Sequence, residues 1–329
     1  MVKMEKRGVI EIQMHWIFVI IAGALILVFF IGLAVRQRGI ARTELIFDIE
    51  NDLNLLIQVG KAAEGSVSEI DMPELEINFG CRDYWIEGQK KSLGAKPVFA
   101  NDKIISDKLV LWSRAWKMPF KVDTFLYMTS PRVRFVFFNI PASLYDDLPD
   151  AISKEKASEL ANLADNGNYK IKFVIFNKKA SELGFPAWLR KYDVTAVSVF
   201  TDSRKIQYYS FRGNLPELQG ETSYLGDESM AGAFFTDNIE DYNCIMDKAM
   251  AELNAVSKIY LEKTKLLDES NVCPLFYGDT NTGLLAELAS KSAKSFSRGT
   301  VNVQDIEGTA NSIQAMNYDI EIQSCPPIY

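Results

Sequence analysis

The chain opens with one uninterrupted apolar run and then never repeats it. Met14 to Val35 carries a single ionisable group, His15, at its edge. About 20 such residues cross a hydrocarbon core of ~30 Å as a helix, and Trp16 stands where an amphipathic ring suits the headgroup layer. The pattern then changes to apolar residues every third or fourth position. Ile46, Ile49, Leu53, Leu56 and Ala63 recur that way in "TELIFDIENDLNLLIQVGKAA". That spacing predicts a helix running on from the span to about Ala63, with one apolar stripe.

Beyond Ser66 the rhythm becomes that of strands. "VRFVFFN", "IKFVIFN" and "VTAVSVF" are short runs of β-branched and aromatic residues. "SLYDDLPDAISKEKASELANLA" and "KKASELGFPAWLRKY" between them read as helical, and alternation of this kind predicts parallel strands. "KIQYYSF" and "MAGAFFT" read as further strands, and "DKLVLWSRAWK" as a helix. "TDNIEDYNCIMDKAMAELNAVSKIYLEKTKLL" reads as one long helix, with Asp237 and Glu240 as its capping signature. "TGLLAELASKSAKSFS" reads as a helix, and "IEGTANSIQAMNYDIEI" as a helix or a strand pair. The expected fold class is α/β, or α+β. An N-terminal transmembrane helix extends into a stalk, followed by a mixed sheet with parallel βαβ units and a C-terminal helical segment. The expected divisions are 1–13 as a basic flank, 14–35 as the span, 36–65 as the stalk and 66–329 as the soluble domain.

Three alternatives exist for the N-terminus. A secretory signal would have an apolar region of only ~7–15 residues before its cleavage site, and this run is longer. A plain anchor fits the length. The third follows from Lys6-Arg7-Gly8, just before the run. The start of the chain resembles an archaeal prepilin-like protein, in which a short basic leader ends in Gly and is cut after it. The resemblance implies a mature chain beginning at Val9. That family often carries Glu at the fifth mature position; here Gln13 stands there and Glu11 at the third. The chain as a whole resembles uncharacterised single-pass membrane proteins of archaea, a resemblance that implies no activity.

Charge narrows the partners. The chain holds 36 Lys and Arg against 43 Asp and Glu; six of the former and two of the latter precede Glu44, so the remainder carries 30 against 41, a net of -11. An acidic domain without clustered Lys and Arg is a poor nucleic-acid binder. The expected partners are the lipid bilayer and a protein, or a second copy engaged through the stalk helix.

Cys81, Cys244, Cys273 and Cys325 make an even set without the paired spacing of a zinc site. They read as two disulfides in an oxidising compartment, the competing reading being four buried thiols. If the helix around Cys244 is unbroken, its far end lies ~33 Å from that residue. The few residues leading on to Cys273 reach at most ~24 Å. Cys244–Cys273 is therefore disfavoured, and Cys81–Cys244 with Cys273–Cys325 is preferred. None of the 18 Asn residues lies in an N-x-[ST] sequon, which speaks against a glycosylated face.

With His15 the sole histidine, His-based triads and HExxH zinc sites are excluded. No nucleotide-binding glycine motif and no cofactor signature is present. One constellation stands out: Asn139, Asn177, Asp202 and Asp237 each follow an apolar run. Ligands of open parallel sheets bind beyond the carboxyl ends of the strands. The competing reading is that Asn and Asp simply cap turns there. These observations favour a single-pass cell-membrane protein with a cytoplasmic N-terminus and an extracellular, disulfide-stabilised domain for protein–protein interaction or surface assembly, pilin-like assembly included. The alternative is a small-ligand receptor or hydrolase at the carboxyl edge of the sheet.

Overall fold

The computed structural model describes residues 7–329 except 168, 271–272 and 274–275. The chain divides into two compact units, Met1–Asn54 and Leu55–Tyr329.

The first unit is helical. Helix α1 (Arg7–Ala62) begins in it and ends in the second unit. Its segment Trp16–Ala34 is 19 residues long with a mean hydropathy of 3.1 and no buried residues. Among the described residues it is the one helix long and apolar enough to cross a membrane. Lys6 and the side chains of Arg7 and His15 lie outside the described residues.

The second unit is built on two mixed six-stranded sheets. The first contains β1 (Val67–Phe79), β2 (Asp83–Ile86), β3 (Gln89–Ser92), β4 (Val98–Ala100), β5 (Lys103–Lys117) and β6 (Lys121–Thr129), in the order β3-β2-β1-β5-β6-β4. Its pairs are antiparallel except β4 with β6. Pro73 falls where the register of β1 on β5 shifts, between Asp71 and Leu75, so its missing N–H interrupts no regular ladder. The end of α1 packs on this sheet at Gly60: a Cβ there would lie 3.0 Å from Leu111 and 3.1 Å from Leu126, so a larger residue would need those side chains to shift.

The second sheet contains β7 (Val133–Phe138), β8 (Ser153–Ala157), β9 (Lys170–Phe176), β10 (Asp193–Phe200), β11 (Lys205–Arg212) and β12 (Leu215–Ser223), in the order β12-β11-β10-β9-β7-β8. Strands β10, β9, β7 and β8 run parallel, and β11 and β12 are antiparallel additions. The three apolar runs thus form the parallel centre, as their composition predicts. The segments between them differ from expectation. In the first only α2 (Ala142–Asp146) is α-helical, with a 3-10 turn at Leu160–Asn162; Pro149 follows α2, and the alternating "SKEKA" becomes β8. In the second, Gly184 and Pro186 allow only short 3-10 turns.

Helices complete the unit: α3 (Asp227–Phe235), α4 (Ile239–Glu269), α5 (Asp279–Ser292) and α6 (Val303–Ile322). "MAGAFFT", read as a strand, is most of α3. Residues Ser229 to Phe235 are all buried, so this helix shows no polar face from which its period could be read. Phe235 lies 5.3 Å from Tyr127 of the first sheet and 5.4 Å from Phe135 of the second, which places α3 between the sheets. "DKLVLWSRAWK" is no helix but part of β5, held by β1 on one side and β6 on the other. "IEGTANSIQAMNYDIEI" is helical throughout, within α6. The long helix α4 is capped one residue later than expected: the Asn238 side chain accepts from Asp241 N at 2.8 Å.

The other face of the second sheet has its own core. Val136, Ile171, Phe173 and Ile175 are covered by Leu160 and Leu189 from 3-10 turns and by Phe185 from the segment between two of them. Two disulfides fix the periphery. Cys81–Cys244 joins the β1–β2 turn to α4 across 163 residues, and Cys273–Cys325 joins the segments after α4 and α6 across 52. No cysteine is free. Each bridge constrains the unfolded chain by ~2–4 kcal/mol.

The tightest approach in the core gives a test. A Cβ on Gly232 of α3 would lie 2.7 Å from the Phe99 ring, which is itself packed by Phe125, Tyr127 and Tyr242. Alanine favours helix by about 1 kcal/mol, but overpacking a rigid core costs ~1–3 kcal/mol. Gly232→Ala is expected to lower stability in urea denaturation; an unchanged or raised midpoint would show that the ring yields.

Candidate functional site

The centre of the second sheet holds charge where a two-sided buried strand should be apolar. In β9, "KIKFVIF", Ile171, Phe173 and Ile175 face one core, and Val174 and Phe176 face the other. Lys170 and Lys172 share the second face and are fully buried. The parallel register places Asp193 of β10 beside Lys170 and Thr195 beside Lys172. Asp237, the single residue between the Thr236 cap that ends α3 and the Asn238 cap of α4, is buried against both lysines.

Lys170 Nζ lies 2.8 Å from Asp237 Oδ2 and 2.8 Å from Asp193 Oδ2, and it also donates to Asp102. Lys172 Nζ donates to Thr236 O at 2.6 Å and to Asp237 Oδ1 at 3.4 Å, and lies 5.5 Å from the Tyr208 ring centre. Asp237 Oδ1 also accepts from Thr195 Oγ1 at 3.0 Å and Asn101 Nδ2 at 3.4 Å, and Oδ2 accepts from Asp102 N at 2.9 Å. Thr129 Oγ1 donates to Asn101 Oδ1 at 2.8 Å. The cluster therefore joins the β4–β5 turn of one sheet, two strands of the other and the α3–α4 joint.

Two cations face three carboxylates. Burial alone would raise the Asp237 carboxyl, but Lys170 and Lys172 overcome it and hold the group well below the usual carboxylate range. Burial likewise opposes the Lys170 charge, yet Asp237, Asp102 and Asp193 outweigh it and raise this amine. Lys172 goes the other way. Burial pushes it down, Lys170 adds to that, and Asp237 offsets it only in part. Asp102, half-exposed at the edge of the cluster, is pushed up to about 6 by desolvation and the neighbouring Asp237 charge.

The four polar residues predicted to line a ligand site do not converge. Asn139, Asn177 and Asp202 lie exposed beyond the carboxyl ends of β7, β9 and β10. Asn139 and Asn177 take left-handed φ values of 56° and 55°, as short polar residues do in turns. Asn177 Oδ1 accepts from Thr201 N and Oγ1, both at 3.1 Å, and so ties two strand ends together. Asp237 is at the opposite, amino end of those strands, because the segment before it is a helix and returns the chain to Lys170. A cavity of about 340 Å³ does lie at the carboxyl edge, but Leu144, Asp147, Phe176, Thr201 and Arg204 line it, and none of the four predicted residues does. Arg204 is neutralised there by Glu307 at 2.9 Å. Among the described residues, no group of three or more His, Cys, Asp or Glu is placed to hold a metal ion.

Sequence reasoning overlooked Lys170, Lys172, Asp193, Thr195 and Asn101. The readable signal was two lysines at strand spacing in a run with no polar face for them to occupy.

Removing one partner of a buried ion pair costs ~3–5 kcal/mol, because the other charge stays buried. Asp237→Ala is expected to lose that much in urea denaturation. Glu217→Ala, which breaks the exposed Arg212–Glu217 pair, should lose less than about 1 kcal/mol. Equal losses would show that the cluster is not energetically special. Asp102 gives a pH test. Its folded value of about 6 exceeds the ordinary 3.8, so the folded state holds the extra proton between them. Its contribution is present below 3.8 and is lost as pH rises to about 6. The stability of the unsubstituted chain relative to Asp102→Asn should fall across that window; a rise, or no change, would contradict the assignment. Glu307, also raised by burial, is common to both chains and cancels.

Compared with known proteins, the chain matches no family model, no curated protein and no solved structure.

Proposed function

We propose that the protein is a single-pass envelope protein whose Leu55–Tyr329 unit faces outward and engages a protein partner or builds a surface assembly. In this reading Trp16–Ala34 crosses the bilayer, the N-terminus is cytoplasmic, and the outer unit works by binding and not by catalysis. One observation carries it: every cysteine of the chain is consumed in a disulfide, in the same polypeptide as a helix apolar enough to span. Disulfides persist in oxidising compartments and are rare in reducing ones. Asp237 lies at the opposite end of the strands from Asn139, Asn177 and Asp202, which weakens the feature that favoured a receptor or hydrolase at the carboxyl edge. The partner is a protein or a second copy, met through the outer unit or the stalk, and not a nucleic acid, given the net acidity beyond the span. Leader processing at Lys6-Arg7-Gly8 belongs to the same proposal, with Val9 as the mature first residue of a pilin-like subunit.

Intact cells treated with an impermeant protease should lose the outer unit. In denatured protein all four thiols should react with maleimide only after reduction. A protected unit with four reactive thiols before reduction would place it in the cytosol and sink the proposal. N-terminal sequencing of the membrane-extracted chain tests the leader: a start at Val9 supports processing, and retention of Lys6-Arg7-Gly8 rejects it.

A further inference from the structure

Within the buried cluster, Asp237 Oδ1 accepts from two nitrogens at the same distance, Lys172 Nζ and Asn101 Nδ2, each at 3.4 Å. One nitrogen is an amine and the other is the amide nitrogen of a carboxamide, and both meet the same carboxylate oxygen. The carbonyl oxygen of that carboxamide accepts from Thr129 Oγ1 at 2.8 Å, which polarises the Asn101 Cγ. The second N–H of Lys172 is taken by Thr236 O at 2.6 Å, which orients the amine. Lys172, Asn101, Thr129 and Asp237 are all buried, so water does not compete.

We propose that Lys172 Nζ and Asn101 Cγ become joined in an intramolecular amide bond, with Asp237 carrying the proton and Thr129 stabilising the oxyanion. The neutral amine attacks Cγ, the new C–N bond forms, and the carbonyl electron pair moves onto Oδ1 toward the Thr129 hydroxyl. One proton leaves Nζ for Asp237 Oδ1, which delivers it to Nδ2. The carbonyl re-forms as the Cγ–Nδ2 bond breaks, and ammonia departs. Asp237 ends as it began, ionised, and no oxidant or co-reactant is needed.

The surroundings distinguish the two lysines. Lys170 is held in its charged form by three carboxylates and cannot be a nucleophile. Lys172 meets only Asp237, shared with Lys170, and burial favours its neutral form. Lys170 in turn keeps Asp237 ionised, and Asp237 Oδ1 is hydrogen-bonded to both reacting groups. The half-exposed Asp102 side of the cluster gives ammonia a route out. The product would staple the β4–β5 turn of the first sheet to β9 of the second.

The test is the intact mass of the full, membrane-extracted and reduced chain, followed by a pepsin peptide map. The expected mass is lower, by one ammonia, than that of the same chain unmodified, with a branched peptide joining Lys172 to Asn101. In Lys172→Arg, which keeps the charge and removes the amine, the deficit should vanish. A full mass with Lys172 and Asn101 in separate peptides would overturn the proposal. A deficit that persists in Lys172→Arg, or that maps to a succinimide at Asn101-Asp102 or to a water lost between Lys170 and an aspartate, would also overturn it. If Lys172→Arg fails to fold, the peptide map of the unsubstituted chain decides alone.

Discussion

A carboxylate buried with two lysines is the interaction on which the outer unit turns. Asp237 accepts from Thr195 and Asn101 and pairs with Lys170 and Lys172, and its neighbour Asp102 donates a backbone N–H to it. Without it Lys170 would keep only the half-exposed Asp102 and Asp193, and Lys172 would keep the Thr236 carbonyl but lose its carboxylate. An unpaired ammonium in an apolar core loses its hydration and either deprotonates or forces the strand outward. The position of Asp237 is set in turn by two helix ends, with α3 stopping at Thr236 and α4 capped by Asn238. Backbone geometry at the joint between α3 and α4 thus decides whether Asp237 meets the second sheet.

From that joint the rest follows outward. Helix α3 must lie between the sheets, and its all-round apolar surface with Gly232 against Phe99 lets it do so. Helix α4 leaves in the direction that its cap sets, and its first turns meet the β1–β2 corner. There Asp241 accepts from Cys81 N at 2.9 Å, and the Cys81–Cys244 bridge closes beside it. Lys248, one turn further along, donates to Cys81 O and Gly94 O. The disulfide therefore reinforces a contact that hydrogen bonds already specify. The second bridge, Cys273–Cys325, ties the segment that follows α4 to the one that follows α6.

Much of this was legible before any coordinates. The three parallel strands were, because β-branched and aromatic runs between turn residues have few other uses. The long helix around Cys244 was, because its stripe has a clear period and its polar face contrasts with it. That helix disfavoured one of the three possible disulfide pairings, since a rigid rod separates Cys244 from Cys273, and the pairing preferred among the other two is the one formed. What stayed hidden has a common physical cause: burial on every side erases periodicity. Helix α3 looked like a strand for this reason, and β5 looked like a helix because both its faces and both its edges are occupied in places. The segments after β7 and β9 had helical composition, yet Pro149, Gly184 and Pro186 cut them short. Asp237 was singled out as a residue of the carboxyl edge and lies at the other end of the sheet, an error inherited from reading α3 as a strand.

An ionic centre is not the most stable way to fill this space. Replacing buried ion pairs by well-packed apolar side chains is often neutral or stabilising. What apolar side chains lack is direction. Two flat sheets with aromatic faces can slide or rotate against one another at little cost, because dispersion contacts are exchanged and not lost. Asp237 removes that freedom. Its two oxygens must face Lys170, Lys172 and Thr195 on one sheet and the Asn101–Asp102 turn of the other at once, and any slip leaves a buried charge unpaired. The network thus supplies a single relative placement of the sheets, and the same fixed placement brings the Lys172 amine and the Asn101 carboxamide to one oxygen. Specificity of packing and the conditions for bond formation are, in this cluster, the same geometric requirement.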